Sequence, residues 1–279
     1  MAGIQQRSVN NVNNQKEIKV FIGVPTGPPK KYALGYMTSA LQQLTYQNVE
    51  IHFAVTQYKY KCDSDFLSSL KLLIKALNLP IILHYTYVSE MDEKHSFRTV
   101  LKNLQLLRRL FLDGDYTHFL LLGGDNPPIR DTVERLLKLD CDVATAVLYQ
   151  RPDRMRGTSV PGQPMLWFPS WTIKDLEKHK LDPLIVDDFK TAFECSSLLI
   201  PLVCDPCWKR RKVLEGVVGG SGCMLVRRRV FERVGFTLPH TGYHSEDIHF
   251  YLKCLLRGFK VKADLKFHAP HLAPNGQVY

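Results

Sequence analysis

The feature that most limits what this chain can become is its alternation of short apolar segments with amphipathic ones. Residues 18–24, 49–55, 81–88, 118–122 and 142–149 are apolar, β-branched or leucine-rich runs of strand length. Between them, residues 36–46, 65–79, 96–112 and 131–139 carry their apolar side chains at helical spacing, with Leu101, Leu104, Leu107 and Leu110 recurring at three-residue steps. Asp65 stands where a helix cap belongs, and Pro25-Thr-Gly-Pro-Pro29 and Asp113-Gly-Asp115 punctuate the pattern. Strands alternating with helices predict an α/β fold with a mainly parallel sheet covered on both faces. After an irregular stretch the pattern returns, predicting a strand over 223–226, helices over 228–234 and 245–257, a last strand over 259–263 and a histidine-bearing tail.

The 279 residues, 45% of them hydrophobic, suffice for one large α/β domain. Residues 1–17 are expected to be a disordered polar tail and 18–279 a single domain. Within it, residues 150–212 are an irregular, substrate-shaping insertion, rich in proline and holding Trp167, Trp171 and Trp208, which are too apolar to be left in water. No apolar run reaches the roughly 18 to 20 residues that cross a bilayer, and the polar start of the chain has no apolar centre like that of a secretory signal. Seven cysteines, an odd number set mostly in apolar runs, suit free buried thiols in a reducing compartment, which places the protein in the cytoplasm. The Cys204-Asp-Pro-Cys207 pair has metal spacing but no second pair to complete a zinc site. The net charge of +10 favours polyanionic partners without choosing among them. No nucleic-acid-binding module is present, and the clusters Lys209-Arg-Arg-Lys212 and Arg227-Arg-Arg229 suit peripheral contact with anionic lipid equally well.

In open parallel sheets ligands bind beyond the carboxyl ends of the strands. The first strand ends at Pro25-Thr26 and the strand over 118–122 ends at Gly123-Gly-Asp-Asn126, so both loops fall on one edge. Asp125 there suits a hard divalent cation, Mg2+ or Mn2+, that takes one or two protein oxygens and the rest from phosphate and water; it would also serve as a turn cap before Pro127-Pro128. Glu246 and Asp247, in Gly242-Tyr-His-Ser-Glu-Asp-Ile-His249, form an acidic first turn, itself an ordinary helix-start device. His268 and His271 follow the last strand and suit metal or structural roles.

Taken together these segments resemble the family 2 glycosyltransferases and their relatives of the GT-A fold, over roughly Val20 to His271. The resemblance rests on Val24-Pro25-Thr26, on Lys102-Asn103, on Thr117-His-Phe-Leu-Leu-Leu-Gly-Gly-Asp-Asn-Pro-Pro128, and on the order Val218-Gly-Gly-Ser-Gly-Cys-Met-Leu-Val-Arg-Arg228, Glu246-Asp247, Gly258-Phe-Lys-Val261. It implies that Asp125 matches the second carboxylate of an Asp-x-Asp motif and holds the metal on the donor diphosphate. It implies that Asp247 is the catalytic base with Glu246 at the acceptor, and that His271, with His268 as competitor, completes the metal or diphosphate contacts. Pro25, Thr26, Lys102, Asn103, Gly124, Gly220 and Gly222 would line the donor site, and Trp167 and Trp171 the acceptor site. The donor would be a UDP- or GDP-sugar and the acceptor a glycan, a lipid-linked sugar or a protein. Two positions depart from the family pattern: Gly123 stands at the first Asp, and Val55-Thr-Gln57 where an acidic residue follows the second strand. A nucleotidyltransferase on the same core, or an inactive sugar- or nucleotide-binding relative, are the competing expectations.

Overall fold

The computed structural model describes residues 17–58, 64–89, 96–149, 164–169, 199–201, 210–237 and 246–279. Five runs of the first half become strands: β1 (Val20–Thr26), β2 (Val49–Tyr58), β3 (Ile81–Val88), β4 (His118–Leu122) and β5 (Val143–Val147). The helices between them are α1 (Leu34–Gln42), α2 (Ser64–Ala76), α3 (Ser96–Asp113) and α4 (Thr132–Leu137). Later come β6 (Leu166–Pro169), β7 (Leu199–Pro201), β8 (Val213–Glu215), β9 (Val218–Gly219), β10 (Cys223–Arg227), α5 (Arg228–Phe231), α6 (Glu246–Leu256) and β11 (Val261–His268).

Eight strands form one sheet in the order β3-β2-β1-β4-β10-β5-β11-β8. The β3, β2, β1 and β4 neighbours are parallel, as are β5 and β11; β10 runs antiparallel to both β4 and β5, and β8 antiparallel to β11. A second, three-stranded sheet joins β7, β6 and β9. The central strands β1, β4 and β5 are buried almost along their whole length, as expected of strands covered on two faces. One face packs Phe21, Phe119, Phe111 and Phe231 into an aromatic cluster with α3 and α5. The other carries Ile22, Val24, Leu120 and Leu122 against α1 and its neighbours.

The expected elements stand, with shifts at their ends. β1 continues through Pro25 and Thr26, because its pairing with β2 runs to Thr26↔Val55. Pro28–Ala33, expected as loop, winds into a 3-10 turn that starts on Pro28 and Pro29; proline is tolerated at such a start because its missing N–H has no partner there anyway. β11 extends to His268, so that histidine ends a strand rather than lying in a tail. Within residues 150–212 only Pro164, Met165, β6, β7 and the residues from Arg210 onward are described, and the Cys204–Cys207 pair lies outside them. Cys141, Cys223 and Cys254 are buried free thiols, and burial pushes Cys141 up to about 11 and Cys223 up to about 12. Among the described residues no helix is long and apolar enough to cross a membrane. The arginines 227–229 each have partners within the chain: Arg227 pairs with the exposed Asp140, the exposed Arg229 with buried Asp142, and Arg228 donates to backbone carbonyls at the end of α3, including Gly114 at 2.7 Å. That last contact offsets the unpaired carbonyls of a helix C-terminus.

Candidate active site

Because β10 runs antiparallel to β4, its first residue lies beside the last residue of β4, with Cys223 opposite Leu122. The glycine-rich segment before β10 therefore meets the Gly123-Gly-Asp-Asn126 turn after β4. The Gly123 N–H donates to the Gly222 carbonyl at 2.8 Å, and the turn closes with Asn126 N–H on the Gly123 carbonyl at 2.8 Å. The Asn126 side chain fills the space between these glycines. A Cβ at Gly123 would stand 2.3 Å from its Oδ1, and one at Gly222 2.4 Å. This gives a steric reason for glycine where the resembled motif has its first Asp: any side chain at 123 would have to displace Asn126. On the other side, a Cβ at Gly124 would stand 2.7 Å from the Pro25 carbonyl, so the β1 and β4 ends are in close contact there.

Asp125 is buried at this junction. Its Oδ2 pairs with the Lys30 ammonium and accepts a hydrogen bond from the Tyr32 hydroxyl at 2.9 Å. Both donors come from the 3-10 turn after β1. The Asp125 carbonyl accepts from Leu272 N–H at 2.9 Å, and Asn126 Nδ2 donates to the Pro270 carbonyl at 3.1 Å. These bonds clamp the C-terminal segment onto the turn, and paired backbone bonds between His271 and Tyr279 brace it from the far side. The clamp brings His271 Nε2 to 3.7 Å from Asp125 Oδ2. Its Nδ1 bonds the Tyr149 carbonyl at 2.9 Å; a carbonyl only accepts, so Nδ1 carries the hydrogen and, in the neutral ring, Nε2 presents its lone pair. His268 stands apart, exposed, with its Nε2 3.2 Å from the Leu265 carbonyl and its ring edge-on to Tyr149. Strand alternation is the reason: Phe267 turns into the core and His268 turns out.

Asp125 and His271 fit a divalent cation as two protein ligands, the number such an ion takes when phosphate oxygens supply the rest. Among the described residues no three His, Cys, Asp or Glu side chains cluster as a complete ligand set.

Asp247 reaches the same edge by a different route. Its Oδ2 accepts from the Ser221 N–H at 3.3 Å and its Oδ1 from Ile248 N–H at 2.7 Å. Ser221 precedes Gly222, so two backbone steps connect the Asp247 carboxylate to the Asp125 turn. A Cβ at Gly220 would stand 3.9 Å from Asp247 Oδ2, which makes Gly220 part of the same wall. Glu246, beside it, is 6% exposed, and among the described residues its Oε2 has no hydrogen-bond partner. Burial, and then the neighbouring Asp247 charge, push the Glu246 carboxyl up to about 8, so it carries a proton at neutral pH. The proton is held in the folded state but given up in the unfolded chain between about pH 4.5 and about 8, so stability falls as pH rises through that window. Glu246→Gln is accordingly expected to melt higher than the wild type, with the gain growing from pH 5 to pH 8 in thermal unfolding. A gain independent of pH would contradict the shifted carboxyl.

Thr26 lies at the end of β1 with its Oγ1 buried and, among the described residues, without a hydrogen-bond partner. It stands next to Gly124, whose added Cβ would lie 3.2 Å from that oxygen. Asn103 is buried on α3, where its Nδ2 donates to Thr56 Oγ1 at 2.8 Å and its Oδ1 accepts from Thr86. It thus ties α3 to the ends of β2 and β3, and Lys102 is half-buried beside it. The backbone of Trp167 pairs in β6 with Val218 and Pro201, while its side chain and Trp171 lie outside the described residues. Sequence reasoning gave no role to Lys30, Tyr32 or Asn126, and took in Ser221 only as part of the Gly220 to Gly222 segment. The only signal for the first was a pair of lysines directly after the first strand's proline-rich stop.

A mainly parallel sheet flanked by helices, with β10 reversed beside β4, is an architecture of the GT-A type. The structure is similar to S. aureus TarS residues 1–349, at a TM-score of 0.50 and 13% identity over 90% of this chain and 59% of that one. It is also similar to the longer TarS chain, at a TM-score of 0.50 and 12% identity over 90% and 36%. The mannosyltransferase PcManGT from Pyrobaculum calidifontis, solved with GDP-Man and Mn2+, gives a TM-score of 0.47 and 10% identity over 90% of this chain and 56% of that one. The chain therefore spans less than two thirds of the length of these structures. No protein-family model matches it, and no curated protein is similar to it in sequence.

Proposed function

We propose that this protein is a glycosyltransferase that moves a sugar from a nucleoside-diphosphate donor to an acceptor hydroxyl, with inversion at the sugar carbon. The observation that carries the reading is the meeting, at one sheet edge, of Asp125 with His271 and of Asp247 with the Gly220–Gly222 segment. The fold shared with TarS is consistent with it.

In this reading Asp125 and His271 hold a divalent cation, Mn2+ or Mg2+, which when bound neutralises charge growing on the leaving diphosphate. The Thr26 hydroxyl and the close Pro25–Gly124 contact line the donor side. Asp247 takes the proton of the acceptor hydroxyl as its oxygen forms the new bond to the sugar carbon. The bond from that carbon to the diphosphate breaks with its electron pair leaving on the diphosphate. An alcohol is far too weak an acid to attack unaided at neutral pH, which is why a carboxylate must stand there. Glu246, still protonated, donates a hydrogen bond to the acceptor. The two neighbours therefore have opposite tasks, set by their different hydrogen-bond partners: Asp247 accepts two backbone N–H groups, whereas Glu246 Oε2 finds no donor among the described residues. Holding donor and acceptor together supplies much of the remaining acceleration. The acceptor is a glycan, a lipid-linked sugar or a protein, shaped by the region that holds Trp167 and Trp171.

The test is a panel of nucleotide sugars with Mn2+ present, scored by released nucleoside diphosphate. UDP-GlcNAc, with which TarS 1–349 has been solved, and GDP-mannose head the panel. Release that depends on an acceptor is the expected result. Consumption of a nucleoside triphosphate instead would favour nucleotidyl transfer, and binding without release would favour an inactive relative.

A further inference from the structure

Lys30 was not required by any part of this mechanism, yet its ammonium sits on the carboxylate oxygen that faces His271. The pair is well shielded: the Asp125 side chain is 5% exposed and that of Lys30 19%. Tyr32, two residues on, donates to the same oxygen. The 3-10 turn that carries both is anchored by its prolines and by Lys30 N–H on the Gly27 carbonyl at 2.8 Å. The ammonium is thus delivered by a built element rather than by a wandering surface chain.

We propose that Lys30 is a tethered cation that competes with the divalent ion for Asp125 and is drawn off by the donor diphosphate, so that donor and metal bind cooperatively. The inference rests on the reading of Asp125 as the metal-bearing carboxylate. One carboxylate oxygen cannot hold an ammonium at hydrogen-bond distance and a divalent ion at about 2.1 Å without strong repulsion between the two cations. In the ligand-free protein Lys30 satisfies a buried charge that would otherwise be costly. A diphosphate arriving beside Asp125 offers the same ammonium a better anion a few ångströms away, and the oxygen is released. Apparent metal affinity without nucleotide is then lowered by the small fraction of molecules in which Lys30 has left. Nucleotide restores it, and by linkage the metal raises nucleotide affinity by the same factor.

The experiment is a Mn2+ titration of the full chain, followed by the EPR signal of the free ion, with and without UDP. Lys30→Met is expected to bind Mn2+ on the order of tenfold more tightly than the wild type when nucleotide is absent. UDP should tighten Mn2+ binding in the wild type and do so much less in the variant. Lys30→Arg, which keeps the charge, should behave like the wild type. Lys30→Met should also melt lower without metal and recover when Mn2+ is added, because the ion then supplies the positive charge that the ammonium gave to Asp125. If Lys30→Met folds poorly, Lys30→Gln serves for the same titration. Equal or weaker Mn2+ binding in the charge-removing variants overturns the proposal. Asp125→Asn separates the two layers: if it binds Mn2+ as well as the wild type, the metal reading itself fails. If it loses Mn2+ while Lys30→Met gains nothing, only the role of Lys30 falls.

Discussion

Asp247→Asn is expected to lower turnover by on the order of 10²-fold or more while leaving donor affinity nearly unchanged, the usual scale for a general base. The substitution keeps the shape of the side chain but removes its capacity to take a proton. It also has a structural cost that can be measured separately. The Asp247 carboxylate accepts one backbone N–H on each oxygen, from Ser221 and from Ile248. An amide offers a single acceptor oxygen, so one of those N–H groups loses its partner, at about 1–3 kcal/mol. Thermal unfolding of the variant should show this modest loss, and donor titration should show an intact site. Undiminished turnover in a folded Asp247→Asn protein would remove the residue from the base role. A large fall in donor affinity with little change in turnover would instead mark Asp247 as part of the donor wall formed with Gly220.

The second large effect concerns stability. Phe119 is fully buried in β4, with ring centroids 5.1 Å from Phe21, 5.4 Å from Phe111 and 5.1 Å from Phe231. Its ring also covers Gly23, where an added Cβ would stand 2.6 Å from Cζ. Phe119→Ala leaves a hole ringed by aromatic side chains and by a glycine that has nothing to extend into it. The expected cost is about 3–5 kcal/mol, a fall in melting temperature on the order of 10 °C for a chain of this size. Asp140→Asn makes the contrast. It removes the Arg227–Asp140 ion pair, in which Asp140 is 86% exposed, and exposed pairs contribute only about 0–1 kcal/mol. Denaturation of both variants decides whether burial, rather than the many ion pairs on this basic surface, carries the fold. A Phe119→Ala protein that melts within 2 °C of the wild type would contradict it.

Much of the architecture was legible because each element announces itself locally. Strands β3 and β4 begin and end where the apolar runs do; β4 is covered on both faces, whereas β3 lies at the sheet edge, carries His84 and Thr86 and leaves Ile82, Tyr85 and Tyr87 exposed. The position of Asp125 followed from the end of the apolar run of β4, and the first turn of α6 from its acidic pair Glu246 and Asp247 ahead of a helical pattern. The residues by themselves left His268 a close competitor of His271, which only the family resemblance favoured. The alternation of β11 put the first outside, and the clamp from Asn126 and Leu272 brought the second to Asp125.

The linear order of residues was enough to determine the class of fold and to single out Asp125 and Asp247 as candidates. Periodicity and strand-end placement are local properties, written over a few residues at a time. The tertiary structure alone decided who meets whom. Reversal of β10 set Gly222 against Gly123, distant in sequence, and through Ser221 drew Asp247 to the same edge. The 3-10 turn after β1 put Lys30 and Tyr32 on Asp125. Contacts of that kind depend on strand direction and on the packing of distant segments, and no local pattern of residues encodes either.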